Sequence, residues 1–175
     1  MQNLEVKLEC RDPGLARAIC VSYGATFIGV LDQTDTYSRL PRGRLKKREC
    51  PGEPTEFIFY ERADAARPRM SRFTIYSERE AETRFGRHPL PVWVVVKKRR
   101  ELFIAGNVRI HLDSVEGLGD FVEFEALVSG DHSAAKCHAA IAALREALAP
   151  VLGEPISLGY SDLLARGTDG GESAA

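Results

Sequence analysis

Asn3-Leu4-Glu5-Val6-Lys7-Leu8-Glu9-Cys10 alternates without a break, with Leu4, Val6 and Leu8 on one side and Asn3, Glu5, Lys7 and Glu9 on the other. A period of two marks a strand, and this strand has one apolar face and one ionisable face. The same double character returns along the chain. Arg44, Lys46 and Arg48 share a face, and so do Lys97 and Arg99. Arg109, His111 and Asp113 share another, then Glu123 and Glu125, opposite the apolar Val122, Phe124 and Ala126. Residues i and i+2 sit roughly 6.6 Å apart on one side of a strand, so each strand carries a compact charged stripe. On a single strand such a stripe reads as a solvated sheet face. Repeated from strand to strand, it also fits a sheet closed on itself, with the charges inside and the apolar faces wrapped by helices. Roughly eight strands close a barrel around a small ligand.

The rest of the chain supplies those elements. Alternation predicts strands over 3–10, 27–37, 44–49, 56–62, 71–76, 92–103, 108–115 and 119–128, most of them joined by turn signals such as Pro41-Arg42-Gly43 and Ala105-Gly106-Asn107. Short connections imply antiparallel pairing. Asp12-Pro13 opens a helix that Gly24 ends, and 78–87 is polar and helical. Ala140, Ile141, Leu144, Leu148 and Val151 repeat at helical spacing within a helix over 133–152, and a last helical turn falls at 160–165. The expected fold is α+β, about eight antiparallel strands with flanking helices, either an open sheet with a solvated charged face or a closed antiparallel eight-stranded β-barrel. Residues 1–166 form a single domain, and 167–175 read as a disordered C-terminal tail rich in Gly, Ser and Ala.

Composition bounds the function. With 175 residues, 44% of them hydrophobic, the chain suits one globular domain with a real core. Lys and Arg number 24 against 25 Asp and Glu, a net charge of -1, which argues against a dedicated nucleic-acid binder. The longest apolar runs, such as Val92 to Val96, are too short to cross a membrane. The N-terminus is charged from its fifth residue and reads as no secretory signal. Cys10, Cys20, Cys50 and Cys137 form no CxxC pair, and reduced thiols in a cytoplasmic protein are expected.

Several segments together resemble the CYTH superfamily, the triphosphate tunnel metalloenzymes. They are Asn3-Leu4-Glu5-Val6-Lys7, where the family opens Glu-x-Glu-x-Lys, then Gln33-Thr34-Asp35-Thr36-Tyr37, Gly43 to Glu49, Tyr60-Glu61-Arg62, Val96 to Arg100, Asp113 to Glu125, and Gly159-Tyr160-Ser161-Asp162-Leu163-Leu164. The resemblance runs from about Asn3 to Leu164, and the segment from Lys97 to Glu125 looks most like the bacterial class IV adenylyl cyclase branch. It implies an enzyme that holds a triphosphate in a charged β-tunnel. The implied reaction is ATP to cyclic AMP and pyrophosphate. The alternatives are an inorganic tripolyphosphatase, a nucleoside or thiamine triphosphatase, and a non-catalytic nucleotide or polyphosphate binder.

The resemblance also assigns roles. Lys7, Lys46, Arg48, Arg62, Lys97, Arg99 and Arg109 match basic tunnel positions and would bind phosphate oxygens by charge-assisted hydrogen bonds. Glu5, Asp113, Glu123 and Glu125 match acidic positions and would hold Mg2+ or Mn2+, hard cations that take oxygen ligands. Lys7, Arg109 and Asp113 are the expected catalytic residues. Partners are then a nucleoside triphosphate or inorganic tripolyphosphate, with neither nucleic acid nor membrane, and a homodimer is compatible with the family. One departure stands out: Asn3 replaces the first motif Glu and brings an amide oxygen without charge.

Overall fold

A computed structural model describes residues 1–62, 65–87 and 90–169 of the chain. Nine strands and four helices follow in the order β1 (Gln2–Cys10), α1 (Pro13–Tyr23), β2 (Thr26–Arg39), β3 (Arg44–Glu49), β4 (Glu56–Arg62), β5 (Arg69–Tyr76), α2 (Glu78–Phe85), β6 (Val92–Ala105), β7 (Val108–Val115), β8 (Gly119–Leu127), α3 (Ala134–Leu148), β9 (Leu152–Ile156) and α4 (Tyr160–Asp169). The strands pair in the order β5-β4-β3-β2-β6-β7-β8-β1-β9, every ladder is antiparallel, and β1 also pairs with β5. That last pairing closes the first eight strands into a barrel.

The larger apolar core lies outside the barrel wall. Leu4, Val6 and Leu8 of β1, Ile110 and Leu112 of β7, and Val122, Phe124 and Ala126 of β8 are all buried beneath α1 and α3. They meet Ala16 and Cys20 of α1 and Cys137, Ile141, Leu144 and Leu148 of α3. Burying each large side chain contributes roughly 1.5–3 kcal/mol, and this layer forces the alternate residues of the same strands inward. The ionisable faces are thus the inner wall of the barrel.

Local chemistry explains the connections. Asp12 caps α1 by accepting from the Leu15 N–H at 3.0 Å, and Pro13 follows at its first turn. Ser77 and Glu80 form a capping box on α2. At the β2–β3 return Gly43 has φ +73, and a Cβ there would stand 2.6 Å from the Phe59 ring, so only glycine fits. All four cysteines are free thiols.

The C-terminal part of the chain differs from the sequence reading in three places. Helix α3 stops at Leu148 instead of Leu152, because Pro150 cannot continue it and Ala149–Val151 forms a 3-10 turn. The following Leu152–Ile156 is a ninth strand on the edge of β1, with Pro155 opposite Leu8. An edge strand tolerates a proline that cannot donate to the ladder. At the C-terminus α4 runs to Asp169, while 170–175 lie outside the described residues. Helix α4 does not lie on the barrel. Tyr160, with Leu163 and Leu164 beside it, packs on the inward residues Val96, Val115 and Phe121, so the helix closes one end.

Candidate functional site

The barrel encloses a cavity of about 450 Å³. Its wall carries Lys7 of β1, Lys46 and Arg48 of β3, Lys98 and Arg100 of β6, Arg109 and His111 of β7, and Glu5, Glu123 and Glu125 of β1 and β8. Of the residues expected from the sequence, the fold brings together Glu5, Lys7, Lys46, Arg48, Arg109, Glu123 and Glu125. Arg62 ends β4 opposite Ser71, and its side chain lies outside the described residues.

Lys97 and Arg99 are corrected. Both are exposed on the outer face of β6, and the inward pair is Lys98 and Arg100, each 6% exposed. Shifting a strand's phase by one residue exchanges its two faces, and Lys97-Lys98-Arg99-Arg100 offers a cation on both. Phe103 sets the phase: it is buried in the outer core, so Glu101, Arg99 and Lys97 follow it outward in steps of two. The signal was in the sequence, three residues beyond the basic run.

Asp113 is corrected as well. It does not line the cavity. Both its oxygens are taken: Arg100 donates to Oδ1 and Oδ2 at 2.7 Å each, and the Tyr160 hydroxyl donates to Oδ2 at 2.7 Å. Burial acts to raise its pKa, but Arg100 overrides this and holds it down to about 2. Asp113 is an anion that anchors Arg100, with three hydrogen bonds already on its two oxygens and no face on the cavity. Arg109 lies at the cavity rim with its side chain 57% exposed, 3.4 Å from Glu125.

Asp35, which the sequence reading left without a role, organises the basic wall. It is fully buried; Arg48 binds it through two hydrogen bonds of 2.8 Å, Lys98 donates at 2.8 Å, and Lys46 stands at 3.6 Å. One carboxylate therefore gathers three cations from β3 and β6 around one end of the cavity. The local excess of positive charge shows in the lysines. Burial and the neighbouring Arg48 push Lys46 down to about 7, against the pull of Asp35. Burial pushes Lys98 down to about 8, with Asp35 opposing it and Arg48 and Arg100 adding to it. Each such lysine gains from an incoming anion.

The acidic side lies across the barrel. Glu5 of β1 stands directly opposite Glu125 of β8, and Lys7 opposite Glu123. Directly opposed side chains on one face have Cβ atoms about 4.5–5.5 Å apart. Arg69 reaches Glu5 at 3.4 Å, Lys7 reaches Glu123 at 3.6 Å, and His111 Nδ1 lies 3.2 Å from the other Glu123 oxygen. Burial and Arg100 lower the His111 pKa, which keeps its ring neutral near pH 7.

The donor chemistry of this wall fits a hard divalent cation. Glu5, Glu123 and Glu125 present carboxylates, and the Asn3 amide oxygen is buried beside them with no hydrogen-bond partner among the described residues. Oxygen ligands alone are what Mg2+ and Mn2+ take. Among the described residues no three His, Cys, Asp or Glu side chains already converge on one point, since each carboxylate leans toward a different cation. Glu9 turns away to the β9 backbone, accepting from the Glu154 N–H at 3.4 Å.

The remaining wall is largely apolar, interrupted by Gln33, Glu56 and Ser71. Leu31, Leu102 and Ile104 form one flank, and Ile58, Phe73 and Ile75 another, with Tyr37 and Tyr60 next to Lys46.

A closed antiparallel barrel whose lumen holds cations on one side and carboxylates on the other defines a triphosphate-tunnel type of protein. The CYTH domain family model matches residues 1–149, and the chain belongs to that family. Its members are typically metal-dependent enzymes that act on triphosphates. Solved structures agree on the fold. A Pyrococcus horikoshii OT3 protein is 23% identical with a TM-score of 0.72, covering 92% of this chain and 98% of its own. A Vibrio parahaemolyticus protein, named provisionally as an adenylate cyclase, is 18% identical with a TM-score of 0.73, covering 93% and 97%. A Hippeastrum protein, a provisional adenylyl cyclase described with a dominant triphosphatase activity, is 11% identical with a TM-score of 0.61, covering 96% of both chains. No curated protein matches by sequence. Among the described residues no helix is long and apolar enough to cross a membrane.

Proposed function

We propose that the protein is a metal-dependent enzyme that binds a nucleoside triphosphate in the tunnel and converts it as class IV adenylyl cyclases do, ATP giving cyclic AMP and pyrophosphate. The observation that carries this reading is the division of one cavity into a cationic end, an acidic wall and apolar flanks. Lys46, Arg48 and Lys98 crowd positive charge at one end and suit a polyphosphate chain. Inorganic tripolyphosphate would leave Leu31, Leu102 and Ile104 unused, whereas a base and ribose have apolar surface to place there.

In this reading Lys7, Lys46, Arg48 and Lys98 bind and straighten the phosphates, and Arg109 covers them from the rim. Glu5, Glu123, Glu125 and the Asn3 amide oxygen would hold Mg2+ or Mn2+, which supplies charge neutralisation on phosphate oxygens when bound. The ribose 3′-hydroxyl attacks the α-phosphorus and gives up its proton to solvent, a new P–O bond forms, and the bond from the α-phosphorus to the bridging oxygen breaks with pyrophosphate leaving. Arg100 and Asp113 act only by holding Glu123 and the closed end in place.

Product analysis tests this directly. The purified protein is incubated with Mg2+ or Mn2+ and either ATP or tripolyphosphate. Cyclic AMP and pyrophosphate from ATP are expected. Orthophosphate without a cyclic product makes the protein a triphosphatase, and tight binding without turnover makes it a nucleotide or polyphosphate binder.

A further inference from the structure

Tyr160, the first residue of α4, stands between two walls of the barrel. Lys7 Nζ of β1 lies 3.7 Å from the centroid of its ring, and Lys98 Nζ of β6 lies 5.7 Å away. Both distances place an ammonium within reach of the negative face of an aromatic ring. The ring is only 4% exposed and is fixed from three directions. Its hydroxyl donates to Asp113, the Phe121 ring packs at 5.1 Å, and Asp162, two residues on, accepts from Arg44 at 2.5 Å, tying the helix to β3.

We propose that Tyr160 is a positioning residue: its ring fixes Lys7 and Lys98 at the closed end of the tunnel so that both ammonium groups meet the same anion. The proposal rests on the triphosphate reading of the cavity. Its physical basis is the shortage of counter-charge there. Lys98 shares Asp35 with Arg48 and Lys46, and Lys7 shares Glu123 with Arg100. A further carboxylate would restrain the lysines but repel a polyphosphate. An aromatic face restrains ammonium groups without adding a formal negative charge, which leaves the anion site intact. Helix α4 thereby contributes to binding from outside the barrel strands.

A double-mutant cycle with inorganic tripolyphosphate as the probe separates this role from simple packing. Affinity is measured by calorimetry for the wild type, Tyr160→Met, Tyr160→Phe, Lys7→Met and the Lys7→Met, Tyr160→Met pair. Tyr160→Met is expected to weaken binding about tenfold, an order of magnitude typical of one desolvated cation–ring contact. Tyr160→Phe keeps the ring and should recover affinity to within about threefold of wild type. In the Lys7→Met background the Tyr160→Met loss should shrink to about twofold, the remainder carried by Lys98. An equal loss in both backgrounds, or a Tyr160→Phe variant as weak as Tyr160→Met, overturns the proposal. A wild type that binds neither tripolyphosphate nor ATP overturns the function instead. The Lys7 ε-methylene NMR shift then decides the inference by itself. An upfield ring-current shift that survives in Tyr160→Phe supports it, and its absence from the wild-type protein overturns it, even where Tyr160→Met does not fold.

Discussion

Arg100 and Asp113 face each other across β6 and β7, and both guanidinium–carboxylate hydrogen bonds are 2.7 Å long inside the barrel. Arg100 also donates to Glu123 at 2.9 Å, so one buried cation ties two carboxylates of different roles. Asp113 is thereby committed to structure, and Glu123 remains on the cavity.

Asp113→Asn leaves Arg100 with half its counter-charge in a buried setting. Breaking a buried pair by removing one partner costs about 3–5 kcal/mol. Urea unfolding is expected to show a loss of that order, with the Mn2+ affinity of the folded variant unchanged within about twofold. A stability loss below about 1 kcal/mol together with a lost Mn2+ site would restore Asp113 to the metal ligands.

The two phases of β6 make a sharp contrast. Lys98→Met removes a buried ammonium bonded to Asp35 at 2.8 Å, and triphosphate affinity should fall by about a hundredfold, the worth of a strong charge-assisted contact. Lys97→Met and Arg99→Met alter exposed side chains and should stay within about twofold of wild type. Calorimetry with ATP in the absence of metal reads both. Equal losses at positions 97 and 98 would contradict the inward assignment.

The depressed lysines give the site a pH dependence of definite sign. Lys46 at about 7 and Lys98 at about 8 lose charge as pH rises through those values, so ATP affinity should fall between pH 6.5 and 8.5, with proton uptake on binding at the upper end. Lys46→Met carries the ligand's own titration but not the lysine's, and its profile should be flatter. These two groups act on stability in the opposite direction. The unfolded chain keeps both lysines protonated to about 10.4, so from pH 7 to 8.5 it binds more protons than the native state, and their contribution to stability rises. An ATP affinity that climbs with pH over this interval would contradict the account.

Asn3 tests the acidic wall. Its buried amide oxygen has no partner among the described residues and stands next to Glu5 in the alternation. Asn3→Glu adds a charge to the donor set, and Mn2+ affinity should rise about tenfold, measured by electron paramagnetic resonance of free Mn2+. Asn3→Leu should lower it by several fold. No change in either variant would remove Asn3 from the metal-binding set.

How much of this was legible depends on whether a strand showed a single pattern. On β1 and β8 the apolar set (Leu4, Val6, Leu8; Val122, Phe124, Ala126) fixes which face is buried under helices, and Glu5, Lys7, Glu123 and Glu125 follow inward by necessity. On β6 the basic run is ambiguous in phase and only Phe103 resolves it. Strand β9 was hidden because Leu-Gly-Glu-Pro-Ile has no alternation of its own and pairs only where the edge of β1 receives it. The roles of Asp35 and Tyr160 could not be seen at all. Both depend on groups brought together from distant strands, three cations around one carboxylate and two lysines beside one ring.

In the proposed complex the triphosphate lies inside the barrel between the basic and acidic walls. A crystal structure with Mn2+ and a non-hydrolysable ATP analogue tests it most directly. Phosphate oxygens are expected on Lys7, Lys46, Arg48 and Lys98, and an anomalous manganese peak beside Glu5, Glu123 or Glu125. An analogue bound outside the barrel, or a manganese peak with no contact to any of those carboxylates, would contradict it.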